Sequence, residues 1–350
     1  ACPTGAYEKD PHTGNVILNS EHCMGCTYCA WVCPYGAPQF DRERGVMTKC
    51  TFCASRVERG DQPACVVACP VDALNVLEER EASLHNACTP GFADTDMQPA
   101  IRLISRRRVP LWRRIKTPHL DVMRWARLRD EWPLAFFTFV TAVLGGWLLA
   151  SVLRGSSPQP AVFLGLAALG GFVSTIHLGR PARMWRTLRN LRTSWISWEI
   201  ALFTAFVASA AGFLLLAPTN VFLGWTAAAL GLGTLAAMDM VYRVRGQAVR
   251  AVPHSAMTLL TALYLAGCLG AHPWLAAPAG VMKLLLYVHR YRFAPVSWKR
   301  LALPLARLLL GFAAPTAAWL TLGAPLPTTI LGGLLIAEAL DRLEFYAALE

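Results

Sequence analysis

Cys23-Met24-Gly25-Cys26-Thr27-Tyr28-Cys29-Ala30-Trp31-Val32-Cys33-Pro34 spells C-x2-C-x2-C-x3-C-P, the ligand run of a 4Fe–4S cluster. Three thiolates in one tight loop hold three irons of a cubane. The fourth cysteine lies beyond their reach and serves a different cluster. A second set follows at Cys50, Cys53, Cys65 and Cys69, again with a proline, Pro70, after the last cysteine. Structural zinc is the competing reading of paired C-x2-C units. Zinc gains nothing from a third cysteine at the same spacing or from Cys-Pro, so the two runs together specify an iron–sulfur electron-transfer module. Three cysteines within one short loop also favour a shared cluster over disulfide pairing.

Outward from these runs the chain divides into two unlike parts. Its 350 residues are 55% hydrophobic, with a mean hydropathy of +0.38, but the average conceals the division. Residues 1–90 are Cys-rich and polar. Residues 132–350 are rich in Leu, Ala, Gly and Trp, in repeated apolar runs of roughly 18 to 22 residues, the length that spans a bilayer. The expected fold is an α+β ferredoxin-like iron–sulfur domain over 1–90, a basic juxtamembrane linker over 91–131, and an all-α polytopic membrane bundle of eight helices over 132–350. A soluble core is excluded for the second part. No secretory signal peptide is recognisable. Ala1-Cys2-Pro3 reads as the tail of a further Cys-x3-Cys-Pro run without an initiator Met, so the domain is expected to be N-terminally truncated.

Within the first part, Lys9 to Gly14 reads as a turn leading into a strand at Asn15-Val16-Ile17-Leu18. A second hairpin is expected over Pro38 to Met47, around Glu43-Arg44-Gly45, and Val71-Asp72-Ala73-Leu74 is expected to close the domain as a strand or a helix start. The apolar runs predict helices near 132–153, 161–178, 198–217, 221–242, 255–271, 273–289, 303–322 and 326–345. Paired glycines such as Gly145-Gly146 allow close helix approach.

The net charge of +11 invites a nucleic-acid reading, which its distribution rejects. The linker cations, from Arg102 to Arg129, fall on the N-terminal side of the bundle. So do Arg180, Arg183, Arg186, Arg189 and Arg192, then Arg243, Arg245 and Arg250, then Arg290, Arg292, Lys299 and Arg300. The opposite side has only Arg154. Loop charge of this kind orients a membrane protein and places the iron–sulfur domain, the arginine loops and the C-terminus in the cytoplasm, on the inner membrane. The polybasic linker lies on anionic headgroups.

Cys23-Met24-Gly25-Cys26-Thr27-Tyr28-Cys29 through Cys33-Pro34-Tyr35-Gly36-Ala37-Pro38 resembles the third cysteine group of the dimethyl sulfoxide reductase iron–sulfur subunit. Met47-Thr48-Lys49-Cys50 through Arg59-Gly60 to Cys69-Pro70 resembles the fourth. The membrane half is similar to that enzyme's anchor subunit at Glu131-Trp132-Pro133-Leu134, at His177-Leu178-Gly179-Arg180-Pro181-Ala182-Arg183 and at Glu199-Ile200. The resemblance implies four 4Fe–4S clusters in the full-length protein, with the first cysteine group paired to the fourth and the second to the third. Carried over, Cys23, Cys26 and Cys29 share a cluster with Cys2, the one complete ligand set here. Cys33 and Cys69 serve clusters completed elsewhere, and Cys50, Cys53 and Cys65 hold a third without its fourth ligand. A self-contained two-cluster arrangement instead joins Cys23, Cys26 and Cys29 to Cys69, and Cys50, Cys53 and Cys65 to Cys33, but leaves Cys2-Pro3 without a role. Cys88 and Cys268 fit neither scheme.

The resemblance also implies a molybdopterin catalytic subunit as partner, anaerobic respiration, and a quinol, menaquinol or ubiquinol, as substrate. A quinol site needs a group to bond the hydroxyl and a base to take its proton. His177, at the end of the second predicted helix, is the expected hydroxyl partner. Glu199, opening the third, is the proton acceptor, and Arg183 between them is an electrostatic clamp. Each also has an ordinary reading: an interfacial histidine, a topology charge, and a carboxylate stabilised by a helix N-terminus by about 0.3–1 kcal/mol. Asp239 with Arg243 and Glu338 with Arg342 have ion-pair spacing, Lys283 is expected to snorkel, and Trp185, Trp195 and Trp198 read as interfacial aromatics. Two alternatives compete with an electron-transfer anchor. One is a haem-containing membrane subunit using His177, His254 or His289. The other is a redox-driven ion-translocating module built on Asp239, Lys283 and Glu338. Catalytic subunits in related enzymes often carry export signals, which would put the redox domain on the other side from that indicated by the loop charges.

Overall fold

A computed structural model describes residues 2–11, 14–33, 35–76, 128–243, 254–292, 302–322 and 326–347. The expected linker up to residue 127 lies outside them, as do Cys88, Arg245, Arg250, Lys299 and Arg300.

In the N-terminal part, β1 (Tyr7–Lys9) pairs antiparallel with β2 (Val16–Leu18), in the register Tyr7 to Leu18 and Lys9 to Val16. β3 (Gln39–Asp41) pairs with β4 (Val46–Thr48), Gln39 to Thr48 and Asp41 to Val46. The second hairpin closes where expected, because the Asp41 carboxylate accepts the N–H groups of Glu43 and Arg44 at 3.0 Å each. This is an Asx-type turn. Short helices follow the cysteine loops: α1 (Tyr28–Val32), α2 (Ala54–Val57) and α3 (Ala64–Val67). Val71–Leu74 forms neither a strand nor a helix. Its backbone is committed to a thiol instead, with the Ala73 N–H donating to Cys69 Sγ at 3.1 Å.

The second part is helical. α4 (Leu128–Leu153) is followed by α5 (Pro160–Thr175), α6 (Trp195–Ala211) and α7 (Val221–Val241). Then come α8 (Thr258–Gly270), α9 (Pro273–Arg292), α10 (Ala302–Leu308), α11 (Ala314–Leu322) and α12 (Thr328–Ala347). A 3-10 segment, Pro181–Asn190, connects α5 to α6. π-Helical turns extend α6 (Gly212–Leu216) and join α10 to α11 (Leu309–Ala313). Starts are set by side-chain caps: Gln159 accepts the Val162 N–H at 2.6 Å and Asn220 the Leu223 N–H at 3.1 Å, each satisfying an orphan donor of the first turn. α4 runs through the core, where Val140, Leu144 and Leu148 pack with Phe163, Phe206 and Phe213. At Gly146 a Cβ would lie 2.8 Å from the Ala262 carbonyl of α8, the close approach expected of that glycine pair.

Helices occupy the predicted apolar runs, but among the described residues four stretches are long and apolar enough to cross a membrane. These are Glu131–Leu153, Trp195–Leu216, Val221–Val241 and Leu303–Thr321. Pro160–Thr175 and Thr258–Gly270 are apolar but shorter. α9 and α12 carry Lys283, Glu338, Asp341 and Arg342, all buried. Length and composition therefore support four crossings where eight are expected.

Those charges correct three expectations. Lys283 does not snorkel: it is 0% exposed, with Nζ 2.8 Å from Glu338 and 3.7 Å from Asp341. Glu338 thus pairs across helices rather than with Arg342. Asp239 accepts the N–H groups of Thr258 at 2.7 Å and Leu259 at 3.1 Å, capping α8 rather than pairing with Arg243. A charge taken out of water needs a close opposite charge or hydrogen bonds to its polar atoms. Removing one member of such a pair costs about 3–5 kcal/mol, far more than an i,i+4 surface pair returns.

Candidate functional site

Cys2, Cys23, Cys26 and Cys29 line one small cavity of about 20 Å³, with Tyr7, Gly25 and Met47 beside them. The loop shape is set by left-handed backbone at Gly25 (φ 70°) and Thr27 (φ 58°), which turns N–H groups inward. The N–H groups of Gly25 and Met47 both approach Cys23 Sγ at 3.4 Å, and that of Ala6 approaches Cys2 Sγ at the same distance. Burial pushes the Cys29 thiol up to about 11, with Cys2 and Cys23 adding to the rise against a hydrogen bond from Tyr7. Burial also raises Cys26. Four such thiols ionise together only against a bound cationic group, since the thiolate is the ligand form. Among the described residues no three His, Cys, Asp or Glu side chains close to single-ion distance. The donor set suits a group larger than one zinc ion: soft sulfur on every side, with backbone N–H groups aimed at the sulfurs.

The second cysteine set repeats the device without the burial. Phe52 (φ 57°) and Cys53 (φ 52°) are left-handed. The Phe52 N–H donates to Cys50 Sγ at 3.3 Å and the Ala64 N–H to Cys53 Sγ at 3.5 Å. Cys50 and Cys65 are exposed, Cys33 and Cys69 partly so.

The first thiol cavity sits on the helices. Arg180 donates its backbone N–H to the Met24 carbonyl at 2.9 Å and its Nε to that of Arg44 at 3.0 Å. Arg186 Nη1 reaches the Glu21 carbonyl at 2.8 Å, Asn190 Nδ2 the Cys2 carbonyl at 2.6 Å, and Tyr28 Oη donates to the Val241 carbonyl at 3.0 Å. Three glycines make the closest approach. A Cβ on Gly179 would lie 2.2 Å from the Gly45 carbonyl oxygen, and one on Gly25 would lie 2.5 Å from the same oxygen. The loop arginines assigned to topology therefore also dock one part of the molecule on the other.

Between the two parts lies a pocket of about 300 Å³. Cys26, Tyr28 and Trp31 wall it on one side, and Glu131, His177, Glu199 and Tyr242 on the other, with Leu134, Phe137, Ile200 and Phe203 as apolar surface. His177 and Glu199 are thus brought to one cavity. Glu199 is 8% exposed, and His177 Nδ1 is buried without a hydrogen-bond partner among the described residues. Arg183 is not in the lining. Its Nη1 donates to the Ser20 and Cys23 carbonyls, both at 2.8 Å, so it holds the cysteine loop rather than facing the pocket. His254 stacks on Phe345, ring centroids 3.9 Å apart. Glu131, Tyr28, Trp31 and Tyr242 were not singled out from sequence as site residues. Tyr28 and Trp31 sit among the cysteines of the first run and carry no signal of their own, while Glu131 and Tyr242, at the ends of apolar runs, read as ordinary interfacial groups. Cys26 and Met24 line both the thiol cavity and the large pocket.

Residues 1–79 match the family of the 4Fe-4S dicluster domain. One chain of the anaerobic dimethyl sulfoxide reductase of Haemophilus influenzae is 55% identical over 74 residues, 21% of this protein and 36% of that one. A sulfite dehydrogenase subunit of Allochromatium vinosum is 47% identical over 78 residues, 21% of this protein and 32% of its own length. A thiosulfate reductase electron transfer subunit of Salmonella typhi is 43% identical over 83 residues, 23% and 43% of the two sequences. The match spans about a third of the length of the first two relatives, 36% and 32%. No solved structure matches. Residues 1–79 thus match a 4Fe-4S dicluster domain and resemble the dimethyl sulfoxide reductase chain, and they precede a helical part in which, among the described residues, four helices are long and apolar enough to cross a membrane.

Proposed function

We infer that this protein is an electron-transfer and membrane-anchor subunit that oxidises a quinol, menaquinol or ubiquinol, and delivers its electrons through 4Fe–4S clusters to a molybdopterin reductase subunit. The observation that carries the reading is the position of Cys26, which lines the thiol cavity and the 300 Å³ pocket at once. Cys2, Cys23, Cys26 and Cys29 would hold one cluster, consistent with their common cavity. Cys33, Cys50, Cys53, Cys65 and Cys69 would serve the others. A 4Fe–4S cluster bound there accepts electrons one at a time.

The pocket has the composition a quinol head needs: aromatic and aliphatic walls with few polar groups at fixed points. His177 bonds one hydroxyl and Glu199 takes a proton. Arg183 positions the Cys23 loop against the pocket wall, a docking role in place of an electrostatic clamp on the substrate. The long helices anchor the protein. All eight expected runs cross the bilayer on this reading, because the charges of α9 and α12 are paired inside the bundle rather than turned to lipid. The iron–sulfur domain (1–90), the linker (91–131) and the membrane anchor (132–350) then have the cytoplasm on the cluster-bearing side. The names of the relatives include dimethyl sulfoxide, sulfite and thiosulfate enzymes, so the terminal acceptor belongs to the partner subunit.

A photoreactive quinone tests the pocket. Irradiated with the purified complex, it should label the first turn of α6 and the segment around His177, with labelling competed by unmodified quinol. Labelling confined to lipid-facing positions such as Phe172 or Leu216, which are 68% and 86% exposed, would remove the pocket from consideration.

A further inference from the structure

Backbone N–H groups reach sulfurs in both cysteine sets, and the inner set is met by two side-chain hydroxyls as well. Pro3 occupies the second position of a turn that the Gly5 N–H closes on the Cys2 carbonyl at 3.4 Å, the place where proline favours such a turn. The turn folds Thr4 back on the first ligand, and Thr4 Oγ1 lies 3.6 Å from Cys2 Sγ. Gly5, at φ 63°, then sends the chain into β1, where Tyr7 is held opposite Leu18. Tyr7 lines the thiol cavity with Cys2, Cys23, Cys26 and Cys29. Its hydroxyl is buried, and its interaction with Cys29 falls short of full hydrogen-bond geometry. A donor is therefore in place in the cavity wall and not yet spent.

Ligation fixes the direction of both contacts. The ligand form of cysteine is the thiolate, which accepts hydrogen bonds and has no proton to give. The contact between Thr4 and Cys2 then has the hydroxyl as donor. A phenol, protonated at neutral pH, is a donor for the same reason. Hydrogen bonds to an ionised partner are roughly twice as strong as those between neutral groups. Their effect depends on where the set lies. Cys23 is buried and packs with Ala6, Val46 and Met47, with Cys2 and Cys29 against them. Reduction of an iron–sulfur cluster adds a negative charge, which burial disfavours and hydrogen bonds to the sulfurs favour. At the outer set Cys50 and Cys65 are exposed, so water can stabilise the added charge there.

We propose that the Thr4 and Tyr7 hydroxyls donate to the Cys2 and Cys29 thiolates and raise the reduction potential of the 4Fe–4S cluster these would hold, offsetting the cost of its burial. Both are positioning residues that act through the ligands. One electron arrives per reduction, and both hydroxyls keep their protons. The inference rests on the cluster reading of the thiol cavity. Its use, a first acceptor easy enough to reduce for a mild reductant arriving beside Cys26, rests in addition on the quinol reading of the pocket.

Thr4→Val and Tyr7→Phe remove the donors and keep the side-chain shapes. Potentials are read in the full complex by redox titration followed by EPR, the inner signal being the one that changes in Cys26→Ser and not in Cys50→Ser. The double variant should shift the inner reduction equilibrium about tenfold toward the oxidised form, a fall of ~59 mV for one electron. Each single variant should give part of that fall, and Thr4→Ser, which keeps a hydroxyl, should hold the wild-type potential. The other signals should stay where they are. An unchanged inner potential in the double variant, at wild-type iron content, would overturn the inference. An equal fall in every signal would overturn it too, since the substitutions would then have loosened the whole domain. Should Tyr7→Phe fail to retain iron, Thr4→Val alone decides, and a wild-type potential there overturns the inference. Absence of an inner signal from the dithionite-reduced wild type would overturn the cluster reading of the cavity, and the inference with it.

Discussion

At the inner end of the iron–sulfur domain, Cys23 is 6% exposed and its loop is tied to the helices through Arg180, Arg183 and Arg186. At the outer end, Cys50 and Cys65 are exposed, and Phe52, Val67 and Val71 show 42%, 66% and 67% of their surface. The local devices are alike: left-handed loop residues and N–H groups aimed at sulfur occur in both. The thiols respond to the difference in setting. Burial raises Cys26 and Cys29, whereas backbone N–H groups led by that of Val71 lower Cys69. Cysteine spacing therefore shapes each loop, but docking on the helices decides which one adjoins the pocket. The docking loop, Gly179 to Asn190, belongs to the helical part of the molecule.

The largest effect is expected from making the inner end resemble the outer. Gly179→Val puts a side chain into the Gly45 carbonyl, where even a Cβ would lie 2.2 Å from the oxygen. Both partners are backbone, so the cost falls at the high end for overpacking, about 3 kcal/mol. Limited proteolysis should then cut between the two parts of the molecule, and quinol-dependent cluster reduction should fall with it. Unchanged protection would mean that the glycine contact does not hold the domain.

A smaller loss is expected from Arg183→Ala, which removes two bonds to loop carbonyls at 2.8 Å. At a half-buried site this is worth about 1.5 kcal/mol, the low end for bonds from a charged donor. Thermal unfolding followed by cluster absorbance should show it, and analogue affinity at the pocket should hardly change. A large affinity loss would return Arg183 to the clamp role expected from sequence.

The smallest effect separates the two cysteine sets. Cys26→Ser should weaken quinone-analogue binding about fivefold, ~1 kcal/mol, because Cys26 lines the pocket, whereas Cys50→Ser should leave it unchanged. Equal effects, measured by titration of the analogue, would erase the distinction between inner and outer ends.

Much of this was legible in the sequence. The cysteine spacing announced the loops, Glu43-Arg44-Gly45 the second hairpin, and the apolar runs the helices. His177 and Glu199, 22 positions apart, could be placed together because both flank one connection on one face. Arg183 was harder to read, because a loop arginine serving as a topology charge and one docking a neighbouring domain leave the same trace. Asp239, Lys283 and Glu338 were misassigned for a related reason: helical spacing shows partners on the same helix but not those on another. Tyr242 carried no signal beyond an aromatic at the end of an apolar run, and its place in the pocket wall comes from what faces it, Tyr346 on one side and the pocket on the other.

The central claim is that the pocket beside Cys26 is where the substrate's electrons enter. Glu199→Gln in the full complex, with cluster reduction followed by EPR, tests it most directly. The substitution keeps the shape of the side chain and removes the proton acceptor. The account predicts that dithionite still reduces the clusters while quinol no longer does. Quinol reduction at the wild-type rate would contradict it, leaving Glu199 as a helix-end charge and the pocket without its chemistry.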